Sequence, residues 1–397
     1  MMMNRSRIAL GASLIATGCA GIIGVPSLTF DENAGTDGGI DGTTANDGNF
    51  TTTGNDANAT CNTDVSLDAR NCGRCGHSCG AGMCSGGLCQ PYPLVDGVTL
   101  GQLAVDSTRL YYADNGNNAI KSVNKDGSTP PVDVVPGVAQ PVGVGIEGTL
   151  LYWTSRVADP TDKSGLYRCA LSAAGVCSDT KQVSSHYYSQ NIAVQGTNVF
   201  FASQDGVFRS LPDAGEYAIK GATQNYFDVA AGTDFVYLAS QASVIERGVA
   251  DGGGPAVEDF VTIDSDSNFY YVAVDGDRVF YAVGDIANGG VVASVLQTNK
   301  AVATTYGSST GYPVGIAADA QYVYWADRGT LVGTPSSAAK GDGHLYACPR
   351  GGCAGEPLVL ATGLRGGGFI TLDDGFVYFA ENNNFGTNGR IRAVAKP

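Results

Sequence analysis

Seven stretches of the chain share one alternation of apolar and polar positions. A short apolar run ends in an often acidic residue, a tight turn follows, and then come an apolar residue and two mostly aromatic positions. The stretches read LAVDSTRLYYAD, VGIEGTLLYWTS, IAVQGTNVFFAS, VAAGTDFVYLAS, VAVDGDRVFYAV, IAADAQYVYWAD and ITLDDGFVYFAE. From Asp106, Glu147, Gln195, Ala231, Asp275, Asp319 and Asp373 the step to Tyr111, Tyr152, Phe200, Val236, Phe280, Tyr324 and Tyr378 is always five. Copies begin 36 to 54 residues apart, the length of a four-stranded antiparallel blade. The first run carries small residues, as a crowded innermost strand requires, and the second supplies aromatics to wedge between sheets. Third strands read as GLYRCAL or GRIRAVAK, fourth strands as PVDVVPG or EPLVLATG.

The seventh unit reaches Pro397 without a fourth strand, while YPLVDGV at residues 92–98 is a fourth strand without a unit. Pairing the two would close a ring and remove its exposed edges. The expected fold is all-β: a seven-bladed β-propeller of four-stranded antiparallel blades over residues 91–397, with six or eight blades as alternatives. The units resemble YWTD-type and NHL-like propellers, most visibly in YYAD, YWTS and YWAD. The resemblance implies that acids closing the aromatic strand, such as Asp114 and Asp327, bind neighbouring blades; Ser155, Ser203, Ala239 and Val283 depart from it.

The first residues have another character. A basic start, MMMNRSR, precedes the apolar run IALGASLIATG and Cys19, which reads as a signal peptide over residues 1–18. IATGC resembles the lipobox of bacterial lipoproteins, which implies diacylation of Cys19 and attachment to the cell envelope through a lipid anchor. Ala20 follows, with no Asp there to suggest inner-membrane retention, so the outer membrane is favoured. Residues 19–60, rich in Gly, Thr, Asn and Asp, cannot bury enough apolar surface to order themselves and are expected to form a flexible tether.

Removing Cys19 from eleven cysteines leaves an even ten, and an exported chain keeps these oxidised. Cys61, Cys72, Cys75, Cys79, Cys84 and Cys89 form a small disulfide module at residues 61–90, too poor in apolar residues for a core of its own. Fifteen pairings are open within it. A zinc site at Cys72, Cys75 and His77 is the competing reading. The NCGxCGxxC run resembles a Cys-rich module of myxobacterial surface lipoproteins. Cys169 with Cys177 and Cys348 with Cys353 are each expected to staple a turn after a third strand.

Charge narrows the partners. The chain has 38 acidic against 23 basic residues, net −15, and loss of Arg5 and Arg7 with the signal peptide gives 38 against 21, or −17. Phosphate binding needs a basic footprint, so nucleic acid is not an expected partner. No HExxH, GxSxG or phosphate-cradling loop is present, and no catalytic residue or metal ligand is assigned. A lyase-like site using His186 and a divalent metal at the central mouth is the enzymatic alternative. Calcium is conceivable at the Asn-rich stretches 114–118 and 381–389, which read first as turns, and no cofactor is expected.

The connections leading into the inner strands cluster near the axis of a propeller and here combine Tyr with amides. Tyr187, Tyr188, Gln190, Asn191, Asn225, Tyr226, Asn268, Tyr270 and Tyr312, with Arg365, are the candidate ligand-binding residues of the mouth. The expected function is that of a monomeric, non-catalytic binding or scaffold domain for a protein or glycan at the cell surface. An envelope assembly scaffold without a small ligand is a third reading.

Overall fold

The computed structural model describes residues 61, 63–157, 164–211, 215–221, 225–240, 244–251, 257–262, 269–285, 289–309, 312–332, 338–339, 341–381 and 388–397. Cys19 and the expected tether lie outside these residues. Seven four-stranded antiparallel sheets follow one another, with inner strands Leu100–Val105, Pro141–Glu147, Ile192–Gln195, Tyr226–Ala231, Phe269–Asp275, Pro313–Ala318 and Gly367–Leu372 defining blades 1 to 7. The inner strands touch in sequence around the ring, and blade 7 touches blade 1. The fourth strand of blade 7 is Tyr92–Val98, paired antiparallel with Gly389–Ala395. The expected seven-bladed fold and its closure both hold.

The aromatic pairs explain how sheets become a ring. In blade 1 the pair is Tyr111 and Tyr112, and successive residues of a strand face opposite ways. Tyr111 packs with Trp153 of blade 2, while Tyr112 packs with Tyr378 of blade 7. The same division recurs in Tyr152 with Phe201, Phe280 with Trp325, and Tyr324 with Phe379. Six of the seven interfaces thus receive one ring of an aromatic pair from either side, and the one between blades 3 and 4 receives Phe200 against Leu238, at roughly 1.5–3 kcal/mol per buried large side chain.

Blade 4 corrects the register read from the sequence. Val236 and Leu238 face blade 3, where they pack with Phe200, while Tyr237 faces blade 5 and packs with Tyr281. Pairing agrees, because Ala231 opposes Val236 as Val105 opposes Leu110. The equivalents of Asp106 and Tyr111 are therefore Gly232 and Tyr237, one residue later than Ala231 and Val236. Likewise Ser240, rather than Ala239, closes the aromatic strand of this blade.

The five-residue step has a direct physical cause. One carboxylate oxygen of Asp106 accepts the Thr108 and Arg109 amides at 2.7 Å each, which shapes the turn, and the other accepts the Tyr111 hydroxyl at 2.9 Å. Asp319 and Asp373 repeat this with Tyr324 at 3.1 Å and Tyr378 at 2.8 Å. The residue after the third strand of the next blade then completes a latch between blades. Lys125 of blade 1 reaches Asp373 of blade 7 and Lys396 of blade 7 reaches Asp319 of blade 6, both at 2.8 Å. Arg350 of blade 6 pairs with Asp275 of blade 5 in the same way. Where Gly232 removes the acid, Gln297 of blade 5 accepts the Tyr237 hydroxyl at 3.0 Å instead. The latches occupy four consecutive interfaces, from blade 4 round to blade 1, including the one beside the closing strand.

Two acids depart from the role implied by the propeller resemblance. Asp114 accepts the Asn117 amide at 2.7 Å and pairs with Lys121 at 3.4 Å, both in its own blade. Asp327 accepts the Gly329 amide at 2.8 Å and lies 3.9 Å from His344, again within one blade. They order the turn from second to third strand, and the blades are joined by the other set of acids. Residues 114–118 form such a turn, while 382–387 lie outside the described residues.

In the Cys-rich module the structure pairs Cys61 with Cys75, Cys72 with Cys84 and Cys79 with Cys89. These bonds use all the thiols of the competing zinc reading. His77 instead bridges two carbonyls, that of Cys72 at 2.6 Å and that of Lys396 at 2.7 Å. Cys72, Cys79, Cys84 and Cys89 share a core with Tyr324 and Phe379, so the module borrows the core of blades 6 and 7. It sits on the face carrying the turns between first and second strands, where Gly80 packs against Phe376. Cys169–Cys177 and Cys348–Cys353 pair as expected.

The latches set an acid limit. Burial works to raise Asp373 and Asp319, but Lys125 and Lys396 respectively, with turn amides and, at Asp373, the Tyr378 hydroxyl, hold both carboxyls below their ordinary value. Their contribution is complete above the usual carboxylate pKa and is lost as pH falls through the lowered one. Asp373→Asn and Asp319→Asn should each cost about 1–2 kcal/mol at neutral pH in chemical denaturation, with the difference from the parent shrinking as pH falls below the ordinary carboxylate value.

Candidate functional site

Inner strands of a propeller have one unpaired edge, and the half-buried Gln102 and the buried Asp228 cover part of it here. Gln102 accepts the amides of Ile192 at 3.1 Å and Val144 at 3.3 Å and donates to the Ile192 carbonyl at 2.8 Å. Asp228 accepts the amides of Val229 at 3.0 Å and Val272 at 3.1 Å and the Asn191 side chain at 3.2 Å. Together they tie blades 1, 2 and 3, and blades 3, 4 and 5. Glycine lets the strands approach: a Cβ on Gly101 would fall on the Val142 carbonyl oxygen.

Tyr271 of blade 5 meets Phe369 of blade 7 edge-on, with centroids 6.4 Å apart. These two rings and Asp228 line cavities on both sides of them, so they partition the axial channel. The cavity above, about 390 Å³, opens on the face away from the Cys-rich module. Its polar lining includes Asn115, Arg156, Gln190, Asn191, Asp228 and Arg328, and its apolar walls include Val142, Phe227, Val314 and Phe369.

The rim follows the repeat. The residue after each second strand donates its backbone amide to the connection entering the same blade: Asn115 to Thr99 at 2.8 Å, Arg156 to Gln140 at 3.0 Å, Gln204 to Tyr187 at 3.3 Å and Arg328 to Tyr312 at 3.1 Å. The backbone is fixed by this bond, so the side chain is free to vary. In blade 5 the position is Gly284, where any Cβ would collide with the Tyr312 ring. That ring lies under Arg328, 3.8 Å from its guanidinium carbon, and Tyr188 lies 5.0 Å from that of Arg156. The Nε of each arginine is closed to solvent and has no hydrogen-bond partner among the described residues.

The mouth residues expected from the sequence separate accordingly. Gln190 and Asn191 line the cavity. Tyr188 and Tyr312 support the arginines from beneath. Tyr187 is exposed beside Tyr188, with centroids 5.9 Å apart. Tyr226 is buried and donates to Glu246 at 2.6 Å, inside blade 4. Asn225 and Arg365 are exposed and outside the cavity lining. Asn268 lies outside the described residues, as does the side chain of Tyr270. Gln102, Arg156, Asp228, Tyr271 and Arg328 were missed; the two arginines could have been found by aligning the residue after each aromatic strand.

His186 is not part of this lining. It stacks on Phe208 with centroids 3.6 Å apart, contacts Glu216 at 2.6 Å and lies 3.4 Å from Asp205, all in blade 3. The expectation that it reaches the central mouth is corrected: two carboxylates hold it at the flank of that blade.

No protein-family model matches the sequence, and no curated protein matches it. Solved structures share the fold. Virginiamycin B lyase from Staphylococcus aureus has a TM-score of 0.55 at 13% identity, over 78% of this chain and 99% of that one. The WD40 propeller domain of Doa1 gives 0.56 at 10%, over 77% and 95%. YCF48 bound to D1 peptide gives 0.55 at 11%, over 78% and 96%. At these identities the likeness establishes the propeller fold alone.

Two groups here set a pH dependence. Burial pushes Asp228 up to about 6 despite its amide donors. Burial works to lower His186, but Glu216 and then Asp205 outweigh it and raise the imidazole above its ordinary value. Both folded pKa values exceed the unfolded ones, so each contribution is present at lower pH and withdrawn as pH rises through the folded value. The melting temperature should fall as pH rises from the ordinary carboxylate value to about 6, where Asp228→Asn should flatten the slope, and again above the ordinary imidazole value, where His186→Gln should flatten it.

Proposed function

We propose that the chain is an exported lipoprotein, anchored through Cys19, whose propeller captures a protein or glycan partner at its axial mouth. The observation that carries the reading is the partitioned cavity with a polar floor, apolar walls and aromatic-backed arginines on its rim. Such a combination of convergent polar groups in an apolar concavity is the usual form of a ligand site. The Cys-rich module occupies the opposite face of the ring, which leaves the mouth uncovered by it. Among proteins of similar fold, YCF48 is solved with a D1 peptide, so a propeller of this size can hold a polypeptide.

Metabolic labelling with a palmitate analogue tests the anchor: label is expected on the chain expressed in a bacterial host and none on Cys19→Ala. Capture is tested by screening Cys19→Ala chain against envelope proteins and glycans. Phe227→Ala, in the cavity wall, should weaken a saturable partner by about tenfold, or 1.4 kcal/mol. Tyr217→Ala, on the exposed outer strand of blade 3, should leave it unchanged. Loss with Tyr217→Ala alone would transfer the partner to the outer strands and establish the assembly-scaffold reading instead.

A further inference from the structure

We propose that the mouth cavity is an anion clamp in which Arg156 and Arg328 hold a peptide carboxylate. This rests on the reading of the mouth as a capture site and specifies what it captures.

The argument begins with how arginines are used elsewhere. Arg247 pairs with Glu258, Arg350 with Asp275, and Arg390 and Arg392 with Glu381, while Arg109, Arg209 and Arg278 give their donors to neutral oxygens. Arg156 and Arg328 have no carboxylate within 4 Å among the described residues. Both nevertheless stand on the wall of one cavity, each stacked on a tyrosine ring. They occupy the same repeat position in blades 2 and 6, three steps apart around the ring, so the two guanidiniums approach the axis from nearly opposite sides. An anionic oxygen in the cavity would give these guanidiniums the charge-assisted hydrogen bonds that no described carboxylate supplies. Stacking restrains each guanidinium before a ligand arrives, which lowers the ordering cost of binding.

The other walls select among anions. Asp228 shares the cavity and would repel a dianionic phosphate more than a carboxylate. Val142, Phe227, Val314 and Phe369 suit an apolar body next to the charge. A polyhydroxylated sugar would need many free partners, whereas the Asn191 amide is committed to Asp228. A peptide end or acidic side chain meets these conditions best. The titratable and charged groups facing the carboxylate are Arg156, Arg328, Asp228 and Tyr271, so protonation of Asp228 at about pH 6 should strengthen capture at pH 5 relative to pH 8.

The test titrates Cys19→Ala full-length chain calorimetrically with N-acetylphenylalanine, its amide, N-acetylglutamate α-amide and oligogalacturonate. Saturable heat is expected from at least one of the two carboxylate amino-acid probes, with the neutral amide about tenfold weaker or worse. N-acetylphenylalanine alone would identify a chain terminus as the source, and N-acetylglutamate α-amide alone an acidic side chain. Arg156→Gln and Arg328→Gln should each weaken binding by about tenfold or more at unchanged melting temperature. Equal binding of acid and amide, undiminished binding in both variants, or saturation by oligogalacturonate alone would overturn the clamp. So would the absence of heat from every carboxylate. A partner from the envelope screen that Phe227→Ala weakens but both arginine variants retain would leave the capture reading standing and the clamp refuted.

Discussion

Every feature of this molecule depends on the pairing of Tyr92–Val98 with Gly389–Ala395. Six of the sheets are made from consecutive segments of chain and could form locally, but a row of sheets has two ends, each an apolar face without a partner. Joining the first strand of the domain to the last sheet turns the row into a ring, and only then do Tyr112 and Tyr378 bury each other between blades 1 and 7. The contact is between residues almost 300 positions apart, so its loop-closure cost is high, although that cost grows only logarithmically with length. The polar latches are distributed in keeping with this need. Lys125 to Asp373 lies across the closure and Lys396 to Asp319 beside it, while the interface between blades 1 and 2 has Leu171 at the latch position.

The Cys-rich module belongs to the same closure. Its chain runs directly into Tyr92, and its disulfides form one wall of the core that contains Tyr324 and Phe379. His77, held between the Cys72 and Lys396 carbonyls, ties the module to the last residues of the propeller. A segment with too little apolar residue to fold alone thereby adds covalent stiffness to the strand that closes the ring.

What could be read from the sequence follows from which constraints repeat. The five-residue step was legible because in blades 1, 6 and 7 one carboxylate caps a turn and accepts a tyrosine hydroxyl at once, which ties the two positions together. Blade 4 was misread by one residue where Gly232 replaces the acid, since without the carboxylate the eye aligns Val236 on apolar character alone. The individual disulfides of the module could not be chosen, because proximity there is set by docking against blades 6 and 7. At the mouth, amides and tyrosines were recognised as a class, but their directions were not. Tyr226 turns into its blade because Glu246 offers its hydroxyl a buried acceptor, and His186 turns to the flank because Glu216 and Asp205 attract it.

The division between fixed and variable positions also explains why the mouth can carry specificity in so regular a fold. At the rim the backbone amide is satisfied by the preceding connection whatever side chain follows, so Asn115, Arg156, Gln204 and Arg328 differ without disturbing the blade, whereas Gly284 is kept small by the Tyr312 ring. The floor is different: Asp228 is required by the unpaired inner edges of the strands, as Gln102 is below it, and a charge placed there must be neutralised or desolvated at a cost. Asp228 therefore sits in the cavity for structural reasons yet determines its electrostatics. The rim cations stand two blades away from that buried acid on either side, and neither forms an ion pair with it among the described residues. The cavity consequently holds both signs of charge fixed apart by the scaffold, an arrangement that favours a ligand able to meet the cations at one end and avoid the acid at the other.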